Sequence, residues 1–389
     1  MRINREMFNN IRIDTPSSEM MNRIRHNWDT LSKPIDGLGD YESAICRIGA
    51  IKNQESPTLK NKYVIVMCAD NGIVEEGVTQ TDKQVTAIVA SLLGEGKSTL
   101  NTLARRTGAI IVPVDIGIDT EDICEAMTDD VYSTALYRPL LNKKVRRGTR
   151  NFLKEEALTE TEVLDAIGVG IDMVKELGEA GADIIATGEM GIGNTTTTSA
   201  LLSLITGIDP NKLVGRGAGL SHEGLATKKR VVSEAVNKYK KESLSDDAEK
   251  KIISGHDSGP NMSKEQTLYY LRAVGGLDIA GLVGVFIGGA IHHIPIVIDG
   301  VISAVAALVA NILAPGAVEY MLPSHRGREE GTMIALGRLG LTPYINGNMA
   351  LGEGTGAVML FPLLDMVLDL YSNGITFNEG NIEQYERFT

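Results

Sequence analysis

Residues Ala182 to Leu204 read ADIIATGEMGIGNTTTTSALLSL. Asp183-Ile184-Ile185-Ala186 is a short apolar run between small residues, the pattern of a buried strand. Gly188, Gly191 and Gly193 then mark a loop, and Asn194 with four threonines leads into an apolar helix. A strand, a glycine loop and a helix N-terminus in that order form an anion cradle. Free backbone N–H groups and the positive end of the helix dipole converge on the loop. Gly191, Gly193, Asn194 and Thr195 are therefore candidate phosphate contacts. Glu189 sits within the cradle, where it would repel a phosphate, so it is expected to face another part of a ligand, such as ribose hydroxyls. The structural alternative is a glycine-rich turn with a threonine N-cap. No Gly-Lys-Ser/Thr closes the loop, which excludes a Walker motif, and the spaced dinucleotide fingerprint is absent.

Outward from this stretch, the same alternation recurs. Lys62–Ala69 (KYVIVMCA), Ala109–Ile116 (AIIVPVDI) and Ile294–Ile298 read as buried strands followed by the acids Asp70, Asp115 and Asp299. Polar residues just past strand carboxyl ends are where ligands bind in an open parallel sheet. Asp70 fits either that role or a turn former. Helical spacing covers Gln84–Leu93, Thr159–Leu177 with Thr159 and Thr161 as candidate caps, and the apolar segments around Asp299. Strands alternating with helices from residue 62 to about 315 predict a Rossmann-like α/β fold, a parallel sheet with helices on both faces. Residues 1–60 are charged and amphipathic, with helices expected over Met20–Leu31 and Tyr41–Lys52 and Trp28 as their packing anchor. The basic run Lys143–Asn151 reads as a solvated face whose Gly148-Thr149 can also offer a donor to phosphate. A second glycine loop, Lys212–Gly219, precedes a helix carrying Lys228, which can either reach back to an anion or stay solvated. Near the carboxyl end, Leu351-Gly352-Glu353-Gly354-Thr355-Gly356 surrounds one carboxylate with glycines. Burial raises a carboxylate's pKa and suits it to general-base work near neutral pH. The plain alternative is a helix-entry turn.

Composition narrows the classes. The 389 residues carry a net charge of −12, which disfavours nucleic acid as a partner. Cys46, Cys68 and Cys124 are scattered without a CxxC pair, as expected of a reducing cytoplasm. The N-terminus lacks an apolar signal core. Leu277–Leu322 is the one region suggesting a membrane, but Asp278, His292, His293, Pro295 and Asp299 interrupt it, and it reads as buried helix, strand and helix. No HExxH, Cys/His cluster or calcium loop predicts a metal site, and no Gly-x-Ser-x-Gly elbow predicts a hydrolase.

Gly188-Glu189-Met190-Gly191-Ile192-Gly193-Asn194-Thr195 combined with the downstream Leu-Gly-Glu-Gly-Thr-Gly resembles the nicotinate-nucleotide–dimethylbenzimidazole phosphoribosyltransferase family. The resemblance runs over nearly the whole chain, through Lys33–Gly39, Asp70–Gly72, Val85-Thr86, Gly148-Thr149, Gly215–Gly219, Gly275–Ala280, Asp299-Gly300 and Ser324-His325. It implies transfer of phosphoribose from nicotinate mononucleotide to an aromatic base, giving an α-ribotide 5′-phosphate for cobamide assembly, with no cofactor or metal. By the resemblance, Glu353 is the general base, and Glu189, Lys228, Asp70, Thr79 and Gly352 join the phosphate loop in contacting substrate. It further implies a Rossmann-like domain over 61–324 and a small helical domain from 1–60 with part of the C-terminal segment 325–389, which carries the glutamate turn. A homodimer is implied, or a pair of homologous chains; a non-catalytic partner subunit is the alternative. Asn71 replaces a common histidine, and Thr79–Ala87 departs from the pattern facing the acceptor base. The acceptor therefore stays open among benzimidazoles, purines and phenolics.

Overall fold

The computed structural model describes residues 3–121, 136–244 and 262–387, the side chains of residues 242–244 excepted. Cys124 lies outside these residues. Six parallel strands form the main sheet: β1 (Lys62–Ala69), β2 (Ile110–Gly117), β3 (Leu141–Asn142), β4 (Ile184–Met190), β5 (Ile296–Ile298) and β6 (Met321–Pro323). Their spatial order is β3-β2-β1-β4-β5-β6. The chain moves outward from β1 through β2 to β3 and then returns to lay β4 on the other side of β1. The topological switch thus lies between β1 and β4, where Met67 pairs with Glu189 and Cys68 with Met190. A crevice opens at such a point because consecutive crossovers leave on opposite faces. A small parallel pair, β7 (His325–Gly327) and β8 (Ile345–Met349), adjoins the end of β6. The polar sequence of these two strands hides them from a search for apolar runs.

The side-chain alternation of β1 divides the interior. Tyr63, Ile65, Met67 and Ala69 enter one apolar cluster, with the helices Glu160–Glu179, Leu277–Ile291 and Val301–Leu313. Val64, Val66 and Cys68 enter the other, with Ile24 and Trp28 of Ser18–Thr30, Ile45 and Ile48 of Asp40–Lys52, and Phe361 and Leu364 of Thr355–Asn373. Period-two alternation with both faces covered is the physical content of the α/β fold. The two chain ends meet on the second face. Trp28 is fully buried, with its ring centroid 5.0 Å from that of Tyr371.

Thr159 caps Glu160–Glu179 in a reciprocal box with Glu162; Thr161 lies inside the helix. That helix packs on Leu277–Ile291 at backbone contact. A Cβ on Gly170 would lie 2.1 Å from the Gly281 oxygen, and one on Gly284 would lie 2.0 Å from the Ile167 oxygen. The Lys143–Asn151 run is held by acids: Lys144 to Asp115 at 3.3 Å, Lys143 to Glu176 at 3.1 Å and Arg150 to Glu162 at 2.9 Å. The helix, strand and helix expected within Leu277–Leu322 are mostly buried, while His293, Pro315 and Glu319 between and after them are exposed. The one described helix long and apolar enough to cross a bilayer is instead Thr355–Asn373, and half of its most apolar window is buried in the protein. Asp365 on that helix pairs with Lys62 at 3.0 Å.

Candidate active site

β4 runs to Met190, so Gly188 and Glu189 belong to the strand, not the loop. The reason is tertiary. A Cβ on Gly188 would lie 2.4 Å from the Glu353 carbonyl oxygen and 3.1 Å from the Gly354 nitrogen. Glycine at 188 lets the C-terminal glutamate turn seat on the strand. In that turn Gly352, Glu353 and Gly354 all have positive φ, of 88°, 60° and 93°. Glu353, a non-glycine residue in the left-handed region, is held in an uncommon conformation between two glycines. Asp299, at the carboxyl end of β5, clamps it: its carboxylate accepts from Gly354 N at 3.1 Å and Ala357 N at 2.9 Å. It thereby caps the Thr355–Asn373 helix, where an anion is stabilised by the free N–H groups. Ser303 Oγ accepts from Asp299 N at 3.1 Å and lies 2.6 Å from Thr187 Oγ1, tying β4, β5 and the turn together.

The Asn194–Thr206 helix begins at Gly193, whose φ is 95°, and no side chain caps it. The threonines lie within its first turns, beside a cavity of about 340 Å³. Asn194 N donates to the Gly191 carbonyl at 3.1 Å and Thr196 N to that of Gly193 at 3.0 Å, which leaves Thr195 N as the first-turn N–H without a partner among the described residues. Glu189, Gly191, Gly193, Asn194, Thr195, Lys228, Thr79, Gly352 and Glu353 all line this one cavity. Asp70 does not. It is 4% exposed, its carboxylate accepts from Asp119 N at 2.8 Å, and its carbonyl accepts from Thr149 N at 3.0 Å. Thr149 Oγ1 in turn accepts from Gly72 N at 3.0 Å. Gly148-Thr149 therefore braces the loop after β1. The Asn194 amide is also committed elsewhere: Nδ2 donates to Glu189 Oε2 and, at 3.2 Å, to Asp278 Oδ2.

Lys228 is 1% exposed, and its Nζ donates to Thr195 Oγ1 at 2.7 Å. No carboxylate lies within ion-pair distance of it among the described residues, and burial lowers its pKa to about 8. A buried ammonium with N–H groups to spare beside an uncapped helix start is a site for an anion. At the other side, Glu353 Oε2 is buried with no hydrogen-bond partner among the described residues. Its pKa is raised, first by burial and then by the neighbouring charge of Asp299. Glu189 is raised well above the usual range by burial, with Asp278, Asp299 and Glu353 among the contributing causes.

Part of the remaining lining is apolar and part is hydrogen-bonded within the protein, while Thr332 Oγ1 is buried without a partner among the described residues. Val78, Val85, Val89, Ile192 and Leu351 face it. Thr79 Oγ1 donates to the Thr81 carbonyl at 3.0 Å, and the Gln80 amide nitrogen donates to the Gly219 carbonyl at 3.0 Å. Ala87 is not on the lining; Val85 and Val89, one helical turn apart, take that wall. Asp299, His325, Arg216 and Glu329 join the lining without having been singled out as site residues from sequence. For Asp299 the strand-end rule was the available signal. Arg216 and His325 fall in the segments Gly215–Gly219 and Ser324-His325 that carry the family resemblance, while Glu329 had no signal beyond lying in a polar stretch.

A buried ammonium beside a helix start, an unpartnered carboxylate and an apolar wall thus surround one crevice at the switch point of a parallel α/β sheet, the place and chemistry of an enzyme's small-molecule site. A phosphoribosyltransferase family profile matches residues 13–382. The nicotinate-nucleotide–dimethylbenzimidazole phosphoribosyltransferase of Clostridium acetobutylicum is 42% identical over 369 residues, 95% of each chain. That of Acetivibrio thermocellus is 40% identical over 368 residues, again 95% of each. The crystal structure of CobT from Thermus thermophilus superposes with a TM-score of 0.80 at 30% identity, covering 94% of this chain and all of that one. The chain belongs to the nicotinate-nucleotide–dimethylbenzimidazole phosphoribosyltransferase family and is a phosphoribosyltransferase.

Proposed function

We propose that this chain transfers phosphoribose from nicotinate mononucleotide to an aromatic lower-ligand base, with Glu353 as general base, in cobamide nucleotide-loop assembly in the cytoplasm. One observation carries the reading: the unpartnered Glu353 oxygen and the buried Lys228 ammonium line the same cavity. Lys228 and the Asn194–Thr206 helix N-terminus hold the 5′-phosphate. Glu353 faces the acceptor and Glu189 the ribose. The donor's nicotinate ring is a pyridinium, so the C1′–N bond breaks with its electron pair returning to a ring nitrogen that becomes neutral. Positive charge grows on C1′, and the buried carboxylates of Glu189 and Asp299 supply the opposing potential. The acceptor nitrogen, or the hydroxyl oxygen of a phenolic acceptor, forms the new bond to C1′ from the opposite face, inverting β to α, and the acceptor's proton passes to Glu353. Such proton transfer contributes about 10²–10⁴ in rate, and holding two rings about one ribose adds through proximity.

The apolar wall of Val78, Val85 and Val89 suits a flat benzimidazole, purine or phenolic acceptor. The same reading makes the chain a dimer. Met359, Met366 and Leu370 lie exposed at helical spacing on Thr355–Asn373, and sedimentation at twice the monomer mass is expected. The test of function is a product assay with nicotinate mononucleotide and, separately, dimethylbenzimidazole, adenine, p-cresol and phenol. Nicotinate release with an α-ribosyl product from one acceptor is expected. Mononucleotide binding without product from any of them would refute the activity.

A further inference from the structure

Asn194 has one amide group with two N–H bonds, and both are spent on carboxylates. One reaches Glu189 Oε2 and the other Asp278 Oδ2. Glu189 and Asn194 line the cavity; Asp278 does not. Asp278 is fully buried at the start of Leu277–Ile291, where its Oδ1 accepts from Ile279 N at 2.9 Å. Among the described residues no lysine, arginine or histidine pairs with it. A buried acid lacking a cation is a cost to the fold. The other oxygen of Glu189, Oε1, lies toward the glutamate turn, 2.9 Å from where a Gly352 Cβ would stand.

We propose that Asp278 is a positioning residue for the transfer, acting through the Asn194 amide to aim the Glu189 carboxylate at the ribose beside the Gly352–Glu353 turn. The inference rests on the transferase reading above. Its mechanical basis is the anchoring of Asp278. Leu277–Ile291 is packed against Glu160–Glu179 at backbone contact through Gly170 and Gly284, so the carboxylate is referenced to a helix with little room to shift. An amide tethered at both hydrogens cannot rotate. Its Nδ2 therefore stays on Glu189, and Glu189 cannot swing from the cavity. Without Asp278 the amide keeps only one tether, and the oxygen and nitrogen of Asn194 can exchange places. An oxygen facing Glu189 would repel it. The acid is burdened by its burial, which raises its pKa to about 6, and among the described residues only hydrogen bonds, from Ile279 N, its own backbone and Asn194, and no cation, offset that burden.

The test compares wild type, Asp278→Ala, the near-isosteric Asp278→Asn, Glu189→Gln and the two Asp278/Glu189 double variants. Nicotinate release is followed with nicotinate mononucleotide and the acceptor that wild type accepts. Circular dichroism and a melting curve qualify each protein as folded. Both Asp278 variants are expected to lose about tenfold to a hundredfold in kcat, the scale of misplacing a reacting group by less than about 1 Å. KM for mononucleotide should stay within about threefold, because the phosphate contacts are untouched. In the Glu189→Gln background the Asp278 substitutions should have no further effect, since the route runs through Glu189. Fully multiplicative losses, or an Asp278→Asn protein with wild-type kcat, would overturn the proposal while leaving the transferase reading intact. Wild-type protein that releases no nicotinate would overturn both. If Asp278→Ala does not fold, the Asp278→Asn cycle decides alone.

Discussion

Gly188→Ala is the sharpest perturbation of the site, because the added atom is one methyl carbon and its collision is with backbone. The new Cβ would lie 2.4 Å from the Glu353 carbonyl oxygen and 2.8 Å from its carbonyl carbon. Ordinary contact begins near 3.4 Å, so the glutamate turn must retreat by about 1 Å. It cannot absorb this by rotating a side chain. Its three left-handed residues are pinned by Asp299 through Gly354 N and Ala357 N. A shift of about 1 Å in a catalytic group costs on the order of 10²-fold in rate, equivalent to about 2.7 kcal/mol of barrier. Overpacking should also lower stability by roughly 1–3 kcal/mol. The assay is steady-state nicotinate release, with mononucleotide affinity measured by calorimetry. The expected result is a kcat down about a hundredfold with affinity little changed, since the phosphate end lies elsewhere in the cavity. Gly337→Ala, with no atom within 4 Å of its added Cβ, is the control for glycine replacement as such. A folded Gly188→Ala enzyme with kcat within about threefold of wild type would refute the seating of Glu353 on β4 as the reason for that glycine.

Other outcomes follow from the same structure. Glu353→Gln should lower kcat by about 10²–10⁴ while mononucleotide affinity stays near wild type; wild-type turnover would remove Glu353 from the base role. Lys228→Met should weaken mononucleotide by about 2 kcal/mol or more, roughly thirtyfold in Kd, yet leave the dephosphorylated nucleoside unchanged; equal losses for both would put the phosphate elsewhere. In wild type, mononucleotide affinity should fall as pH rises through about 8, where free Lys228 loses its proton, and this dependence should vanish in Lys228→Met. The sign for stability is opposite. Between about 8 and the ordinary lysine value of 10.5 the unfolded chain holds the proton and the folded chain does not, so this group's contribution grows more stabilising as pH rises through that window. Gly284→Ala should destabilise by about 1–3 kcal/mol in urea unfolding, because its Cβ meets the Ile167 carbonyl; an unchanged midpoint would show that the two helices can part cheaply.

Much of the site is legible along the chain because its signals are local. An apolar run that makes a strand, glycines that make a loop and threonines that enter a helix all act within a few residues, so β4, the helix after it and the parallel sheet can be read from Ala182–Leu204 and its echoes. The glutamate among glycines at 352–354 is visible for the same reason. What decides its use is not. Gly188 looks like a loop residue until the turn from the far end of the chain is seen resting on it. Asn194 looks like a phosphate donor until Glu189 and Asp278 claim both its hydrogens. Asp70 and Thr149 look like ligand groups until each is found bracing the other's loop. Lys228 looks like one of several solvated cations until the fold buries it against Thr195. Each of these outcomes depends on which distant backbone or carboxylate arrives within about 3 Å, the range over which hydrogen bonds and steric exclusion act. The chain's own periodicity carries the elements and their order; only the packing of β1 against β4, with Asp299 holding the turn above them, determines which polar groups are left without a partner and so are free for substrate.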